Sequence, residues 1–369
     1  MNSSRKGADR PSVLLDMRPL QGPSATRGVG AYARGLLKGL IAAGFDSNLT
    51  LLLDVAFDAP PLPVGKYKVA GCRRRSHGQL AAYEDAVALA SDIQRIAPDL
   101  YHAIDFHLPG RSPRPLVVTL HDLIPWAWGG PRMRGERIRY GLFRRLLPRA
   151  DLVIAVSNAT ATDASHLRVV SPQRIRLIRE AADPVFSPKP GASGRVKVKW
   201  RIDGRYLLFV GALDARKDPR ALLDAWTAAR VTHPDLRLLI AGAPGRQAPP
   251  SMSGAIQLGR VDDEELADLY SAASCLLFPS RYEGFGLPCL EAMACGCPVA
   301  AFRNSSIPEV VNAAGMMVED GNGRALGDAA AAMIREPDRW RRAGLQQARK
   351  FSWDRTARET ISAYQSLLA

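Results

Sequence analysis

Twice along this chain, short apolar runs alternate with helix-length stretches, and a segment rich in proline and glycine separates the two series. Apolar runs without an interleaved polar face have to be covered on both sides. Alternating them with helices therefore points to a parallel sheet wrapped by helices, and to two such sheets in succession. In the first series the runs fall at residues 13–16, 49–53, 100–102, 116–121, 152–156 and 175–178, with helical stretches such as 32–43 and 80–96 between them. The second series has strands at 206–210, 236–241, 256–258, 275–278, 299–302 and 316–318, and helices at 219–230, 263–272 and 288–295. Between the two lie Pro184, Pro188, Pro190, Gly191 and Gly194, which predict an irregular linker over 184–194. The expected architecture is α/β: a Rossmann-like domain over 1–183, a second over 195–351, and an amphipathic helix within 352–369. Two doubly wound sheets joined this way are expected to face a cleft, because such sheets take ligands at the carboxyl ends of their strands.

Length agrees, since 369 residues at 47% hydrophobic content can bury two cores. No stretch approaches the ~18 apolar residues of a spanning helix. Residues 1–10 are polar and lack the apolar centre of a signal peptide, so a cytoplasmic protein is expected. The five cysteines, Cys72, Cys275, Cys289, Cys295 and Cys297, include no C-x-x-C pair, which argues against a disulfide framework and a ribbon-type zinc site. The last three could supply thiolates to a metal, but buried free thiols are the expectation in so apolar a segment.

Net charge is +14, and residues 1–185 hold 26 Lys and Arg against 16 Asp and Glu. Much of the excess sits in Arg73, Arg74 and Arg75, and in Arg132, Arg134, Arg137, Arg139, Arg144, Arg145 and Arg149. Such a surface suits nucleic acid, anionic lipid or a phosphorylated acceptor, or is simply solvated. Single-stranded nucleic acid would call for aromatic side chains interleaved with the arginines, and the long run has only Tyr140 and Phe143. A nucleic-acid partner is not expected; peripheral contact with the inner face of an anionic membrane is.

The most informative window is F-P-S-R-Y-E-G-F-G-L-P-C-L-E-A-M-A-C-G-C-P-V, residues 278–299. A strand ends, a loop with Gly284 and Gly286 follows, and Pro288 stands where a helix should begin. Backbone N–H groups around Gly286 and Leu287, with the helix dipole behind them, form a place for an anion. Glu283 precedes the loop and Glu291 follows in what reads as the first helical turn. Each carboxylate can accept two hydroxyl hydrogen bonds, which suits a polyol. The plainer alternative makes Glu291 a dipole complement and Glu283 a solvated loop residue.

This window resembles the signature of glycosyltransferase family 4, a group of retaining GT-B enzymes that includes many bacterial mannosyltransferases. The likeness extends to R-G-V-G-x-Y-A-R from Arg27 to Arg34, L-H-D at 120–122 and V-S-N-A-T at 156–160. It also takes in R-K-D at 216–218 and S-S-I-P-E at 305–309. The resemblance implies that Glu291 holds the donor ribose, that Glu283 lies beside the transferred sugar, and that Gly284, Phe285, Gly286 and Leu287 meet sugar and diphosphate. It further implies Gly28 and Gly30 over the diphosphate, His121 near sugar and acceptor, and the last helix crossing back to the first domain. Many relatives carry Arg after the glycine that ends the first strand of the second domain, where this chain has Ala212. Lys217 matches the family lysine, and Arg216 is expected to replace the missing cation.

Breaking a sugar–phosphate bond builds charge on a diphosphate, which a metal or fixed cations can neutralise. The chain has no D-x-D, so Arg216 and Lys217 are the expected electrophiles, with no metal and no cofactor. His121 is cast as a positioning donor, its alternative being a satisfied histidine at a strand end. The resemblance makes GDP-mannose the leading donor, ahead of UDP-glucose and other hexose donors, and a glycan, lipid-linked or small-molecule acceptor. A nicotinamide oxidoreductase is the rival, since Gly28, Gly30 and Ala33 spell G-x-G-x-x-A with Asp54 further on. That fingerprint needs its first glycine directly after the first strand, and here residues 17–27 intervene.

Overall fold

A computed structural model describes residues 10–26, 28–74, 79–243 and 254–369, with the side chains of Gln79 and Arg132 excepted. Arg27 and Arg75 of the motifs above, and residues 1–9 of the polar start, lie outside the described residues. The chain forms two compact units. One runs to Glu180 and takes up again with Trp353–Ala369; the other is Ala181–Ser352.

Unit 1 is built on seven strands: β1 (Val13–Asp16), β2 (Leu49–Asp54), β3 (Lys68–Cys72), β4 (Leu100–Ala103), β5 (Leu116–Leu120), β6 (Leu152–Ala155) and β7 (Ile175–Leu177). All pair in parallel, in the order β3-β2-β1-β4-β5-β6-β7. Its helices are α1 (Gly28–Ala42), α2 (Gln79–Ile96), the short α3 (Ile124–Ala127), α4 (Arg134–Arg139) and α5 (Gly141–Leu146), and α6 (Asn158–His166). Central strands β1, β4, β5 and β6 are buried along their whole length, which is why they read as continuous apolar runs. The edge strand β3 has exposed residues at Lys68 and Val69, and its sequence gives no such run.

Unit 2 contains β8 (Tyr206–Val210), β9 (Arg237–Ala241), β10 (Ile256–Gly259), β11 (Cys275–Phe278), β12 (Val299–Phe302) and β13 (Met316–Val318). They form a parallel sheet in the order β10-β9-β8-β11-β12-β13. Around it lie α7 (Ala192–Trp200), α8 (Pro219–Thr232), α9 (Asp263–Ala272), α10 (Leu287–Ala294), α11 (Ile307–Val311), α12 (Gly323–Arg335) and α13 (Pro337–Ala348). Helix α7 begins inside the segment expected to be wholly irregular. Gly191, left-handed at φ 75°, closes the proline-rich stretch and lets the helix start at Ala192.

The last helix, α14 (Trp353–Leu368), belongs to unit 1 and packs on α1. The contact depends on Gly35 and Gly39 of α1, where an added Cβ would strike the Trp353 ring and its carbonyl respectively. Behind it a buried polar chain runs from Tyr32 through Thr119 to His102 and on to the Tyr364 hydroxyl, at 3.1, 2.8 and 2.6 Å. Burial pushes His102 down to about 3, so this imidazole is neutral and joins the chain as one donor and one acceptor.

Candidate active site

In unit 2 the strand order reverses direction between β8 and β11, and the loops leaving these two strands carry the predicted residues. A crevice outside the carboxyl ends at such a switch point is where doubly wound sheets bind ligands. After β8 the chain makes a short 3₁₀ turn, Ala215–Lys217, because the Asp214 carboxylate accepts from the N–H groups of Arg216 and Lys217, both at 3.0 Å. Asp218 follows in a left-handed conformation, φ 43°, and caps α8 by accepting from Ala221 N–H. The R-K-D triplet is thus a turn fixed by Asp214 before it and by its own Asp218 at the start of α8.

The loop after β11 is tied to this turn. Arg281 N–H donates to Arg216 O at 2.8 Å, and the Arg281 guanidinium pairs with Asp218 at 2.6 Å. In return Arg216 donates to Tyr282 O at 2.8 Å and to Glu283 Oε1 at 2.6 Å. Lys217 Nζ reaches the same Oε1 at 2.6 Å, and the Ser280 hydroxyl donates to it as well. Three donors converge on one carboxylate oxygen, while among the described residues Oε2 has no hydrogen-bond partner. Burial opposes the charge on Glu283, but Arg216 and Lys217 outweigh it and hold the carboxyl down at about 2. Burial also acts on Lys217, and with the like charge of Arg216 it lowers the ammonium below its ordinary range despite the bond to Glu283. The ammonium lies 4.4 Å from the centre of the Phe278 ring. Glu283, expected in the plainer alternative as a solvated loop residue, is instead the hub of this cluster.

The E-G-F-G loop is held from behind by S-S-I-P-E. Glu283 N–H donates to Ser305 Oγ at 2.9 Å, and the fully buried Ser306 hydroxyl faces Phe285 O at 2.8 Å and Glu283 O at 3.1 Å. With these carbonyls turned toward the serine, the N–H groups of Phe285, Gly286 and Leu287 make no hydrogen bond among the described residues. Gly286 caps α10 at φ 99°, and a Cβ there would meet Ile307 Cδ1 at 2.7 Å, so position and packing both call for glycine. Glu291 sits in the second turn of α10 rather than the first, because the helix begins at Leu287. Its Oε2 accepts from the Tyr270 hydroxyl at 3.2 Å. Ser280, Ser306 and Tyr270 were not singled out in the sequence as site residues. Ser306 lay within a recognised motif and Ser280 within the quoted window 278–299; Tyr270 carried no positional signal.

The remaining predicted residues lie in unit 1. Gly28 is the first residue of α1, and Gly30 is buried with its missing Cβ directed at the backbone of Ser24 and Ala25, so its own preceding turn is enough to require glycine there. His121 follows β5, with Nε2 3.0 Å from Ile104 O and Nδ1 3.4 Å from Glu180 Oε1. Burial opposes protonation, yet Glu180 more than compensates and raises the imidazole above its ordinary value. Both ring nitrogens face acceptors, so the resting geometry is that of a satisfied histidine. Its carbonyl accepts from Thr160, whose own N–H donates to the Ser157 cap of α6; this is how L-H-D and V-S-N-A-T come together. All five cysteines are buried free thiols. Among the described residues no group of His, Cys, Asp and Glu is arranged to hold a metal, and no helix is long and apolar enough to cross a membrane.

Comparison with known proteins adds an independent line. Residues 26–186 match the model of Glycosyltransferase Family 4, and residues 204–336 that of Glycosyl transferases group 1. The chain is 30% identical to the O-antigen chain mannosyltransferase B of Escherichia coli over 96% of its own length and 100% of that protein's. It spans about half the length of some other curated relatives. Sucrose-phosphate synthase from Thermosynechococcus elongatus is similar in fold, with a TM-score of 0.76, 21% identity, and coverage of 97% of this chain and 99% of that one. So is Anabaena HepE, solved with UDP and glucose, at a TM-score of 0.70, 18% identity, and coverage of 96% and 100%.

Proposed function

This chain belongs to glycosyltransferase family 4, and from that premise we propose that it transfers a hexose, mannose first, from a nucleoside diphosphate sugar with retention at the anomeric carbon. It has the GT-B architecture of two Rossmann-like sheets, and it is a glycosyltransferase. The observation that carries the finer reading is the convergence of Arg216 and Lys217 on one oxygen of Glu283 at the β8/β11 switch point. Both cations meet at a single carboxylate oxygen, while the Asp214 carboxylate is taken up by the N–H groups of the turn itself. Lys217 spends one of its three N–H groups on Glu283, leaving two for a phosphate. The backbone N–H groups at the start of α10 add to the same field.

In this mechanism the bond between the anomeric carbon and the diphosphate oxygen breaks, and the acceptor oxygen bonds to that carbon from the same face. The acceptor proton passes to the departing diphosphate. Arg216 and Lys217 neutralise the charge that develops there, a role worth about 2.7–4 kcal/mol per donor in comparable sites. Glu283 Oε2 accepts hydroxyls of the sugar, and Glu291 those of the ribose. The cations make a metal unnecessary. GDP-mannose is the first donor to test: the Escherichia coli relative is a mannosyltransferase, while the Anabaena structure holds UDP and glucose, which keeps UDP-glucose second. A glycan or lipid-linked acceptor suits the exposed Arg134, Arg139, Arg145, Arg149 and Ile138 of this arginine-rich segment, which would favour an anionic membrane.

The test is donor turnover, read as nucleoside diphosphate released from GDP-mannose, UDP-glucose and ADP-glucose in excess EDTA. Release from one donor without metal is the expected result. Complete loss in EDTA, restored by magnesium or manganese, would overturn the metal-free mechanism.

A further inference from the structure

Glu291 would have to offer its carboxylate to two ribose hydroxyls in one fixed orientation. We propose that Tyr270 is the positioning residue for Glu291, setting the plane of its carboxylate and so the protein's discrimination between ribose and deoxyribose. The inference rests on the reading of Glu291 as the ribose carboxylate.

Tyr270 is fully buried near the end of α9, and its hydroxyl donates to Glu291 Oε2 at 3.2 Å. Burial and the neighbouring carboxylate both drive the phenol well above its ordinary range, so the proton stays on the tyrosine and the direction of the bond is fixed. A buried tyrosine hydroxyl needs a partner, and among the described residues Glu291 is the one it has.

The ring itself has little freedom. Phe186, in the segment that opens unit 2, stands edge-on to it with centroids 6.0 Å apart. The residues on either side are pinned: Tyr206 donates to Leu269 O at 2.7 Å, and Ser271 Oγ accepts from Lys189 N–H at 3.1 Å. Ala273 N–H closes the end of the helix on Leu269 O and Tyr270 O. A rigid donor on one oxygen restricts the terminal torsion of a glutamate, which otherwise rotates broadly. A carboxylate oriented in advance loses less freedom when hydroxyls bind, and the gain applies only to ligands that carry those hydroxyls.

Calorimetric dissociation constants of GDP, UDP and their 2′-deoxy counterparts for the full chain, Tyr270→Phe and Glu291→Gln test this. The expected result is that Tyr270→Phe weakens the preferred ribonucleotide about tenfold, the scale of one hydrogen bond to a charged group, and leaves its deoxy counterpart unchanged. Phe186→Leu, which keeps the hydroxyl and only loosens the ring, should give a smaller loss with the same selectivity. Equal weakening of both sugars, or no change in either, would overturn the positioning role. If Glu291→Gln keeps the full ribose preference, the ribose reading of Glu291 fails and the proposal with it. If Glu291→Gln abolishes the preference while Tyr270→Phe retains it, the proposal alone fails. Should Tyr270→Phe not fold, Phe186→Leu decides by the same criterion.

Discussion

Each unit gathers charged side chains just beyond the strand at its own switch point, and the two clusters differ in how they balance. In unit 1, β1 ends at Asp16, which takes Arg18 through both oxygens at 2.8 and 2.6 Å and Tyr101 at 2.8 Å. Arg18 then bonds Asp85 at 2.8 Å, and Asp85 is flanked by Arg74 at 2.9 Å and His107 at 3.0 Å. The two guanidinium groups and two carboxylates cancel, and the Arg18, Asp16 and Asp85 side chains are at most 3% exposed. In unit 2, two cations share one oxygen of Glu283, whose side chain is 13% exposed, and the other oxygen remains open. In the first cluster Arg18 is shared between two carboxylates; in the second, two cations meet at one carboxylate oxygen and Asp214 binds the N–H groups of their turn. A family signature alone would not have separated these two kinds of buried charge, and the pairing pattern does.

The largest effect that would break this comparison is on stability. Arg18→Met strands two buried carboxylates and should cost about 3–5 kcal/mol, lowering the melting temperature by on the order of 10 °C. Loss of turnover without loss of stability in that variant would mean that the unit 1 cluster is also functional.

Next in size, Lys217→Ala should lower turnover about a hundredfold or more while the melting temperature shifts far less than for Arg18→Met. Arg216→Ala should be comparably severe, and Ala212→Arg in that background should recover part of the rate. A silent Arg216→Ala with no rescue would move the second cation elsewhere. Glu283→Ala should depress turnover, whereas Glu291→Ala should mainly raise the KM for the donor; equal losses with partial unfolding in both would dissolve the distinction.

Acid sharpens the comparison further. The Glu283 and Asp85 carboxyls are both held at about 2, below their ordinary range. Groups depressed on folding stabilise above the unfolded pKa and lose that contribution as pH falls, here between about pH 5 and pH 2. Lys217→Ala should shrink only the part owed to unit 2 in a pH series of melting temperatures. The smallest effect is that of His121, raised on folding by Glu180, whose contribution is complete at low pH and fades as pH rises above about 6.5. His121→Gln should flatten the melting curve in that upper range alone.

Much of the fold was legible because buried parallel strands leave continuous apolar runs. The edge strand β3 was not, since its exposed Lys68 and Val69 break the pattern. Helices α4 and α5 were read as charge rather than structure, because arginine dominates their sequence. In the site, the types and order of Arg216, Lys217, Glu283 and Glu291 could be read, and the structure brings the first three together. That Ser306 and Tyr270 serve them could not, because each reaches its partner from a distant segment, Phe285 and Glu291 each lying 21 residues away. Ser280 bonds Glu283 within the same loop, but a lone serine there does not mark itself as a partner.

The proposed role of Arg216 and Lys217 is to receive the diphosphate of the donor. Titration calorimetry of GDP and UDP into the wild-type chain and the Arg216→Ala/Lys217→Ala double variant tests it most directly. The expected result is that one of these diphosphates binds the wild type and that the folded double variant binds it at least a hundredfold more weakly, the scale of lost charge-assisted hydrogen bonds. Equal affinity of the folded double variant and the wild type would contradict it.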